Sequence, residues 1–386
     1  MIADADASQV IDVPDYTGLS NQTMAQAFAG LTRQERSGAA ITPEPWFENV
    51  LGTGYQGILG NNTNLVAAMA GQLPKRGDMS DSLQSLAAYS YYYGFTGFLP
   101  TNIGIPAQFG TNAYLTNMGN SNYHGMLLTV DKNLSQGLRA EFNYSWSHSI
   151  DNTSVSANAN PLFTNSNFIC DILHPRACRG SSDFDVRQEI ASNFEYHLPF
   201  GRGQQWGANS PRWLDEAVGN WSFSGLPYYR TGLAISANSD AYMASFDNAD
   251  PAIYIGTSKA DLKAKVNVDH SSNIVYSFAN GADGAAKAFA DFRGPIGIEY
   301  GSRNVIRGPG AFFFDAGLGK KFPILESGLN LQFRADAYNL LNHPAFGTGN
   351  LNIVTNASEF GQITGTETGP GGEGSRVAQF SLRLEF

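Results

Sequence analysis

Three things are scarce in this sequence of 386 residues: charged side chains, long apolar runs and cysteines. Charged residues make up 15% of the chain, against about 25% in ordinary globular proteins. No apolar run approaches the ~18 residues of a membrane-spanning helix, which excludes a bundle of such helices. A membrane-spanning β-barrel is not excluded, because its strands present apolar side chains only at every second position. The net charge of −10 disfavours nucleic acid as a partner.

The two cysteines, Cys170 and Cys178, lie in a polar stretch with seven residues between them. One interpretation is a local disulfide formed in an oxidising compartment, and the other is a pair of free thiols. A metal site is not expected, because His174 is the only soft ligand nearby and zinc sites use four ligands. We therefore expect no metal and no cofactor.

Residues 1–6 lack the basic, apolar and small-residue regions of a secretory signal peptide. An exported protein needs such a signal. If the protein is exported, we therefore expect this chain to be part of a longer polypeptide.

What the sequence has in quantity is alternation of apolar and polar side chains, which predicts strands with two unlike faces. The clearest run is 138–150, and similar runs occupy 186–200 and 329–337. In the first run the apolar face carries Leu138, Ala140, Phe142, Tyr144, Trp146, His148 and Ile150. These runs reach or approach the roughly 9–11 residues of a tilted membrane strand, whereas soluble strands average about 5–6. The length of these runs favours strands that cross a lipid bilayer over strands of a soluble protein.

The last eleven residues alternate in the same way, and the chain ends on an aromatic residue. Bacterial outer-membrane barrels finish on such a strand, which their assembly machinery recognises. The residues that we interpret as this assembly signal are Phe380, Leu382, Leu384 and Phe386.

From residue 121 onward the sequence predicts seven strands. They are expected at 122–134, 138–150, 183–200, 218–230, 309–322, 328–342 and 376–386. The connections alternate between short turns and long loops, as in outer-membrane barrels, where the turns are periplasmic and the loops extracellular. Seven strands cannot close an ordinary bacterial barrel, and open edges in lipid cost several kcal/mol for each unsatisfied backbone group. We therefore expect part of a larger antiparallel barrel.

The first 120 residues predict a mostly helical extracellular region rather than strands. Ser20 is a candidate cap for a helix that ends near Gly38, and Thr42 with Pro43 is a candidate start for a second. Two further helices are expected at 63–73 and 82–92. The predicted organisation is a loop region at 1–120 and a transmembrane barrel portion at 121–386.

No catalytic motif is present, so we do not expect an enzyme. Asp183 and Asp185 beside Arg187 predict a local salt bridge at a strand entrance rather than a Ca²⁺ site, which takes six to eight oxygens. An aromatic cluster contains Tyr89, Tyr91, Tyr92 and Tyr93. It is either a ligand-contacting surface or the packed core of a helical lobe. The polar faces of the strands are expected to line a water-filled lumen with Arg139, Glu141, Arg187, Glu189, Glu195, Arg334, Asp336 and Arg383.

Several blocks of sequence together carry a family resemblance. They are residues 121–125, 142–152, 182–187, 198–203, 219–225, 303–310, 339–347 and 379–386. Their residues and order resemble the carboxy-terminal barrel of Oar-like TonB-dependent outer-membrane receptors, a group abundant in acidobacteria that typically carries a carboxypeptidase-regulatory-like domain. The resemblance implies a 22-stranded barrel with an amino-terminal plug that TonB pulls to admit a scarce solute. This chain contains neither the plug nor the TonB box, so the TonB system would act only through a missing plug domain.

The sequence thus predicts the wall and outer loops of such a receptor in the bacterial outer membrane. The expected partners are outer-membrane lipid, the barrel-assembly machinery and an unidentified solute. Two alternatives stay open. A small complete adhesin or structural barrel requires an even strand number, and a secreted carbohydrate-binding β protein requires shorter strands in two packed sheets.

Overall fold

The computed structural model describes most of the chain, and every structural statement below refers to those residues. They are 14–51, 59–69, 71, 73–77, 79, 82, 117–154, 175–177, 179–239, 251–257, 262–297, 299, 301–324, 329–354, 357–368 and 374–386.

The described residues form seventeen strands and six helices. In chain order the strands are β1 (Ser121–Ser135), β2 (Leu138–Asp151), β3 (Gly180–Ser181), β4 (Gln188–His197), β5 (Trp221–Arg230), β6 (Ala234–Ile235), β7 (Ile253–Tyr254), β8 (Asn267–Asp269), β9 (Ile274–Tyr276), β10 (Phe292–Arg293), β11 (Ile306–Arg307), β12 (Ala311–Pro323), β13 (Asn330–Tyr338), β14 (Ala345–Phe346), β15 (Gln362–Ile363), β16 (Thr366–Glu367) and β17 (Val377–Glu385). The helices are α1 (Met24–Ser37), α2 (Pro45–Val50), α3 (Asn62–Met69), α4 (Leu73–Arg76), α5 (Arg212–Val218) and α6 (Gly281–Ala290). None of these helices is long and apolar enough to cross a membrane.

One antiparallel sheet contains the seven long strands in the order β1-β2-β4-β5-β12-β13-β17, with the short β3 beside β2. Each long strand therefore pairs with the next long strand along the chain. The structure confirms all seven predicted strands, at lengths of nine to fifteen residues. This single sheet of long strands contradicts the alternative of two packed sheets with shorter strands.

Two strands begin later in the structure than the sequence predicts. β4 starts at Gln188 rather than at Asp183, because 182–187 form a turn whose side chains are held in ion pairs. β5 starts at Trp221 rather than at Val218, which is the last residue of helix α5. The connection between these strands, which we expected only as a linker of moderate length, thus contains a helix that alternation could not reveal.

Cross-strand register aligns apolar side chains on one side of the sheet, the apolar face. Phe142 lies opposite Val130 on β1, and Tyr144 lies between Leu128 and Ile190. Large side chains on this face are solvent-exposed, including Met126, Leu128, Val130, Phe142, Trp146, Leu318, Phe380, Leu382 and Leu384. Because exposed apolar area is unfavourable in water, this face requires an apolar surrounding such as lipid.

The connections between the long strands sort by size at the two ends of the sheet. The turn end carries 136–137, 198–220 and 324–329, whereas the loop end carries 152–187, 231–310 and 339–376. In outer-membrane barrels the short connections are periplasmic and the long ones extracellular. For a sheet that belongs to such a barrel, this rule predicts that the loop end lies outside the cell.

The two longest loops share a hydrophobic core. Phe360 from the 339–376 loop stacks on Phe278 of the 231–310 loop, with ring centroids 5.9 Å apart. Phe289 of helix α6 meets Phe360 edge-on at 5.5 Å. The fully buried Ala237 and Ala252 belong to the same cluster. The loop end is therefore a packed structure rather than a set of separate loops.

Helices α1–α4 form a second core, the helical lobe, around Phe28, Trp46 and Phe47. The predicted caps are wrong by a few residues. Thr23, not Ser20, caps α1 in a capping box with Gln26, because the Ser20 hydroxyl is engaged with Asp15 instead.

The start of α2 is likewise shifted by two residues from the expected Thr42 and Pro43. Glu44 occupies the cap position and Pro45 the first helical position. The predicted end of α1 at Gly38 is confirmed, since this glycine adopts the left-handed conformation with φ of 67°. Helices α3 and α4 cover most of the expected 63–73 segment. The expected helix at 82–92 lies almost wholly outside the described residues.

The helical lobe docks on the longest loop. Arg36 of α1 donates hydrogen bonds to the carbonyl oxygens of Pro74, Gly294 and Pro295, at 2.9–3.1 Å. Close backbone approach requires glycine here, because a Cβ on Gly77 would lie 1.7 Å from the Pro295 oxygen. The expected extracellular position of the lobe stays a prediction.

Candidate functional site

A buried carboxylate organises the loop end of the sheet. The Asp185 side chain is fully buried and forms ion pairs with Arg187, at 3.0 Å, and with Arg307. The backbone N–H of Ser149 donates to Asp185 Oδ1 at 2.7 Å, and His148 Nδ1 lies 3.2 Å from the same oxygen. The predicted salt bridge between Asp185 and Arg187 is therefore confirmed. Asp185 also pairs with Arg307, which lies 122 positions away in the sequence.

A second group of ion pairs lies beside the first. Arg303 donates from Nη1 to Asp151 Oδ1 at 2.6 Å, and from Nη2 to Asp183 Oδ1 at 3.0 Å. Nη2 also donates to the Ser154 hydroxyl at 2.6 Å. The Asn304 amide donates to the same Asp183 oxygen at 2.6 Å. Together with the Asp185 group, we call these residues the loop-end network.

The loop-end network joins three segments that are far apart in sequence. Residues 147–154 end β2, residues 181–187 precede β4, and residues 303–307 return from the longest loop towards β12. Arg307 also donates to the backbone oxygen of Asp185 at 2.8 Å, so the contact holds the main chain as well. The network therefore fastens the end of the longest loop to the wall of the sheet.

The electrostatics of the network favour the charged form of its central carboxylate. Burial alone would raise the pKa of Asp185. The hydrogen bonds from Arg307, the Ser149 N–H and His148 outweigh burial and hold this pKa below its usual value of 3.8. At neutral pH the network is thus a set of paired ions with no free carboxylate for proton transfer at Asp185.

The opposite side of the sheet, the polar face, carries most of the residues expected to line a lumen. The register puts Arg139 opposite Glu195, and Glu141 accepts from the amides of Asn143 and Asn193 at 2.8 and 3.2 Å. The predicted pairing across strands is only partly seen in the structure. Arg334 binds Asp336 on its own strand at 2.8 Å.

Arg187 is the exception among the residues assigned to the lumen. It precedes β4 and belongs to the loop-end network, because its guanidinium is held by Asp185. The polar face also carries large apolar side chains that alternation alone did not assign there. Leu127 lies opposite Ser145, and Tyr228 lies opposite Phe313.

Comparison with known families decides what this sheet belongs to. The outer membrane β-barrel domain family matches residues 45–379, which is most of the chain. The chain belongs to the outer membrane β-barrel domain family. Its location is therefore the bacterial outer membrane, and the apolar face is its lipid-facing surface. No curated protein matches the chain.

Within this outer-membrane barrel domain, the sequence-predicted site residues fall into two groups. Phe380, Leu382 and Leu384 lie on the apolar face of β17, Phe386 follows the strand, and all four are exposed. The others lie outside the described residues: Cys170, Cys178, Tyr89, Tyr91, Tyr92 and Tyr93. The disulfide and the aromatic ligand contact stay predictions.

Sequence reasoning did not assign roles to Arg303, Arg307 or Lys320 of the barrel domain. The two arginines appeared only within a block that carried the family resemblance, and their partners lie 120 or more residues away. Lys320 lies on the apolar face, where a cation breaks the alternation, and this break in the sequence pattern could have indicated a special role. Among the described residues, no group of three or more His, Cys, Asp or Glu could hold a metal ion.

Proposed function

We propose that this barrel domain forms the wall and the outer loops of an Oar-like TonB-dependent receptor that takes up a scarce solute. The carrying observation is the packed loop end, where two long loops share one core and the helical lobe docks on them. A pre-formed outer surface suits ligand capture, because little conformational entropy is lost when the ligand binds. The loop-end network keeps this surface attached to the barrel wall.

The edges of the sheet support a larger barrel. Within the described residues, β1 pairs only with β2, and β17 pairs only with β13. An unpaired edge in lipid costs several kcal/mol for each unsatisfied backbone group, so both edges need further strands. A wider barrel would also leave room on the polar face for a plug, through which the TonB system would act.

We infer a binding role rather than an enzymatic one. The buried carboxylates of the loop end are held in ion pairs: Asp185 with Arg307, and Asp151 with Arg303. Their ion pairs fix the position of a loop and leave no activated base or nucleophile among them.

The TonB proposal is tested with the full-length protein in outer-membrane vesicles. A purified periplasmic domain of TonB that carries a photo-crosslinker is expected to form an adduct with it. An unrelated porin in the same vesicles is the control. Absence of an adduct above the porin level would contradict the TonB-dependent assignment.

A second experiment tests solute uptake in cells that produce the full-length protein. Four labelled probes, ferric citrate, cobalamin, maltoheptaose and a tripeptide, cover iron chelates, vitamins, glycans and peptides. We expect at least one probe to accumulate only when TonB is functional. Equal accumulation with and without TonB would identify a passive pore instead.

A further inference from the structure

A short helix lies against the lipid-facing side of the sheet at the turn end. Lys320 projects from the apolar face of β12, where it pairs with Trp221 on β5 and Phe333 on β13. Its ammonium group donates to the carbonyl oxygens of Ala217 and Gly219, at 3.1 and 2.6 Å. Since both carbonyls belong to the carboxyl end of α5, the lysine holds this end against the outside of the wall.

Aromatic contacts reinforce the same placement. Trp221 donates from its indole N–H to the Ala217 oxygen at 3.0 Å. The Lys320 ammonium also lies 5.0 Å from the centre of the Trp221 ring, a cation–π contact. The lysine side chain is 3% exposed, so its charge is enclosed by these partners. Helix α5 is therefore positioned beside the lipid rather than beneath the lumen.

The connection around α5, residues 198–220, is an ordered structure that we call the turn-end segment. Asp215 accepts a hydrogen bond from the backbone N–H of Arg202 at 2.6 Å. The backbone N–H of Trp206 donates to the Pro199 oxygen at 3.0 Å, and the Trp206 oxygen accepts from Gly201 at 2.9 Å. These bonds order the backbone from which the exposed side chains project.

The side chains presented are aromatic and exposed. Trp213 is 70% exposed and Trp206 is 60% exposed, while Phe200 meets Trp206 edge-on at 6.3 Å. Arg202 and Arg212 are exposed in the same segment, and Arg212 forms an ion pair with Glu216 at 3.0 Å. Tryptophan combined with cations favours the boundary between lipid headgroups and acyl chains, because the ring is apolar while its N–H is polar.

Strand geometry puts this segment at the right depth. β12 has 13 residues and spans about 30 Å along the membrane normal, at about 3.3 Å per residue and a tilt near 45°. The apolar band of such a barrel is about 25 Å tall. Lys320 stands three residues before the end of β12, so the attached helix lies near the periplasmic boundary of the band.

We propose that the turn-end segment is a lipid anchor that inserts Trp206 and Trp213 into the periplasmic leaflet, with phospholipid as its partner. Lys320 is the positioning residue of this anchor, because it ties α5 to the lipid-facing side of the wall. Phospholipid is favoured over a periplasmic protein because the exposed aromatics continue a surface that already faces lipid.

Spin labelling in vesicles of phosphatidylethanolamine and phosphatidylglycerol tests the anchor. Labels are placed by Trp213→Cys and Trp206→Cys in full-length protein that also carries Cys170→Ser and Cys178→Ser. The control is Val268→Cys, an exposed apolar position at the loop end. We expect the two anchor labels to be relaxed more by oxygen, which concentrates in lipid, and the control label more by a water-soluble nickel complex. Nickel access at position 213 equal to that at 268 would overturn the proposal.

Lys320 is tested in the same preparation. Lys320→Met removes both hydrogen bonds, so the label at position 213 should gain nickel access several-fold. A label introduced by Phe142→Cys reports barrel integrity and should not change. Lys320→Arg keeps a donor and should retain the oxygen-dominated signal. This variant keeps the role of the side chain testable if the methionine variant does not fold. An unchanged signal in Lys320→Met would contradict this role. Dipolar coupling between labels of two copies would contradict phospholipid as the partner.

Discussion

At the scale of the residue, alternation correctly assigns side chains to faces wherever the strand is regular. The register of β2 with both neighbours puts Phe142 and Tyr144 on the apolar face and Asn143 on the polar face, as their sequence positions predict. Alternation fails where the environment changes along a strand. His148 and Lys320 occupy apolar-face positions, yet each is held by polar partners near a strand end.

Face assignment predicts opposite outcomes for neighbouring substitutions. Phe142→Arg puts a cation in contact with lipid, at a cost of about 2–4 kcal/mol near the bilayer midplane. Asn143→Arg faces the polar side, beside Thr129 and Glu141, and should be tolerated. Heat-modifiable gel migration after folding into vesicles should show less folded barrel for Phe142→Arg alone. Equal loss in both variants would refute the assignment of faces.

Asp185 predicts a pH-dependent attachment of the longest loop. Its pKa is lowered in the folded protein, so its stabilising contribution is present above the ordinary value of 3.8 and is lost as the pH falls through the lower folded value. Removing one partner of a buried ion pair costs about 3–5 kcal/mol at most, and less here because the arginines are partly exposed.

Asp185→Asn should therefore accelerate protease cleavage in 231–310 at neutral pH. In this variant the cleavage rate should also change less as the pH is lowered. Asp283→Asn, an exposed position on α6, is the matched control. Identical cleavage of the Asp185→Asn variant and the unsubstituted protein would show that the network does not hold the loop.

Glu35 of α1 predicts the reverse dependence on pH. Burial raises the pKa of its carboxyl from 4.5 to about 7, and its buried Oε2 has no hydrogen-bond partner. The helical lobe should therefore lose stability as the pH rises from 4.5 through about 7, because this carboxyl ionises freely in the unfolded state while burial opposes its ionisation in the folded state. Glu35→Gln should remove this loss, measured as protection of the α1 amides from hydrogen exchange. An unchanged pH profile in the variant would disprove it.

At the scale of the element, long strands were more predictable than helix starts. A strand in lipid is specified by nine or more alternating positions. The observed bounds of β1, β2 and β17 therefore lie within two residues of the predicted ones. A helix start depends on one side-chain hydrogen bond, and competing acceptors decide it. Asp15 takes the Ser20 hydroxyl, which leaves Thr23 as the cap of α1. Helix α5 was missed because its seven residues bury none of their side chains.

The contact between the helical lobe and the longest loop predicts that the two unfold together. Arg36→Met removes hydrogen bonds to Gly294 and Pro295 and leaves their carbonyl groups without that donor. We expect faster hydrogen exchange in both α1 and 292–297. Lys75→Met, an exposed position on α4, should change neither. Faster exchange confined to α1 would show that the docking contact carries no coupling.

At the scale of the whole molecule, the sequence predicted the meander and its sorted connections but not how the loops meet. Short turns join β1 to β2 and β12 to β13, which leaves few other topologies for those pairs, and the other consecutive long strands pair in the same antiparallel way. The loop-end network was not predictable, since Arg303 and Arg307 find their partners only after the sheet brings distant segments together. Nothing local in 303–307 indicates which carboxylates these arginines meet.

Orientation in the membrane provides the last prediction. An epitope inserted after Ser272, in the exposed turn between β8 and β9, should be detected by antibody on intact cells, because this turn belongs to a long loop. The same epitope inserted after Gly203, in an open turn position at the other end of the sheet, should be detected only after permeabilisation. Both variants must reach the outer membrane for the comparison to count, which heat-modifiable migration verifies. Detection of the Gly203 epitope on intact cells would reverse the orientation, and the turn-end segment would then face the outer leaflet.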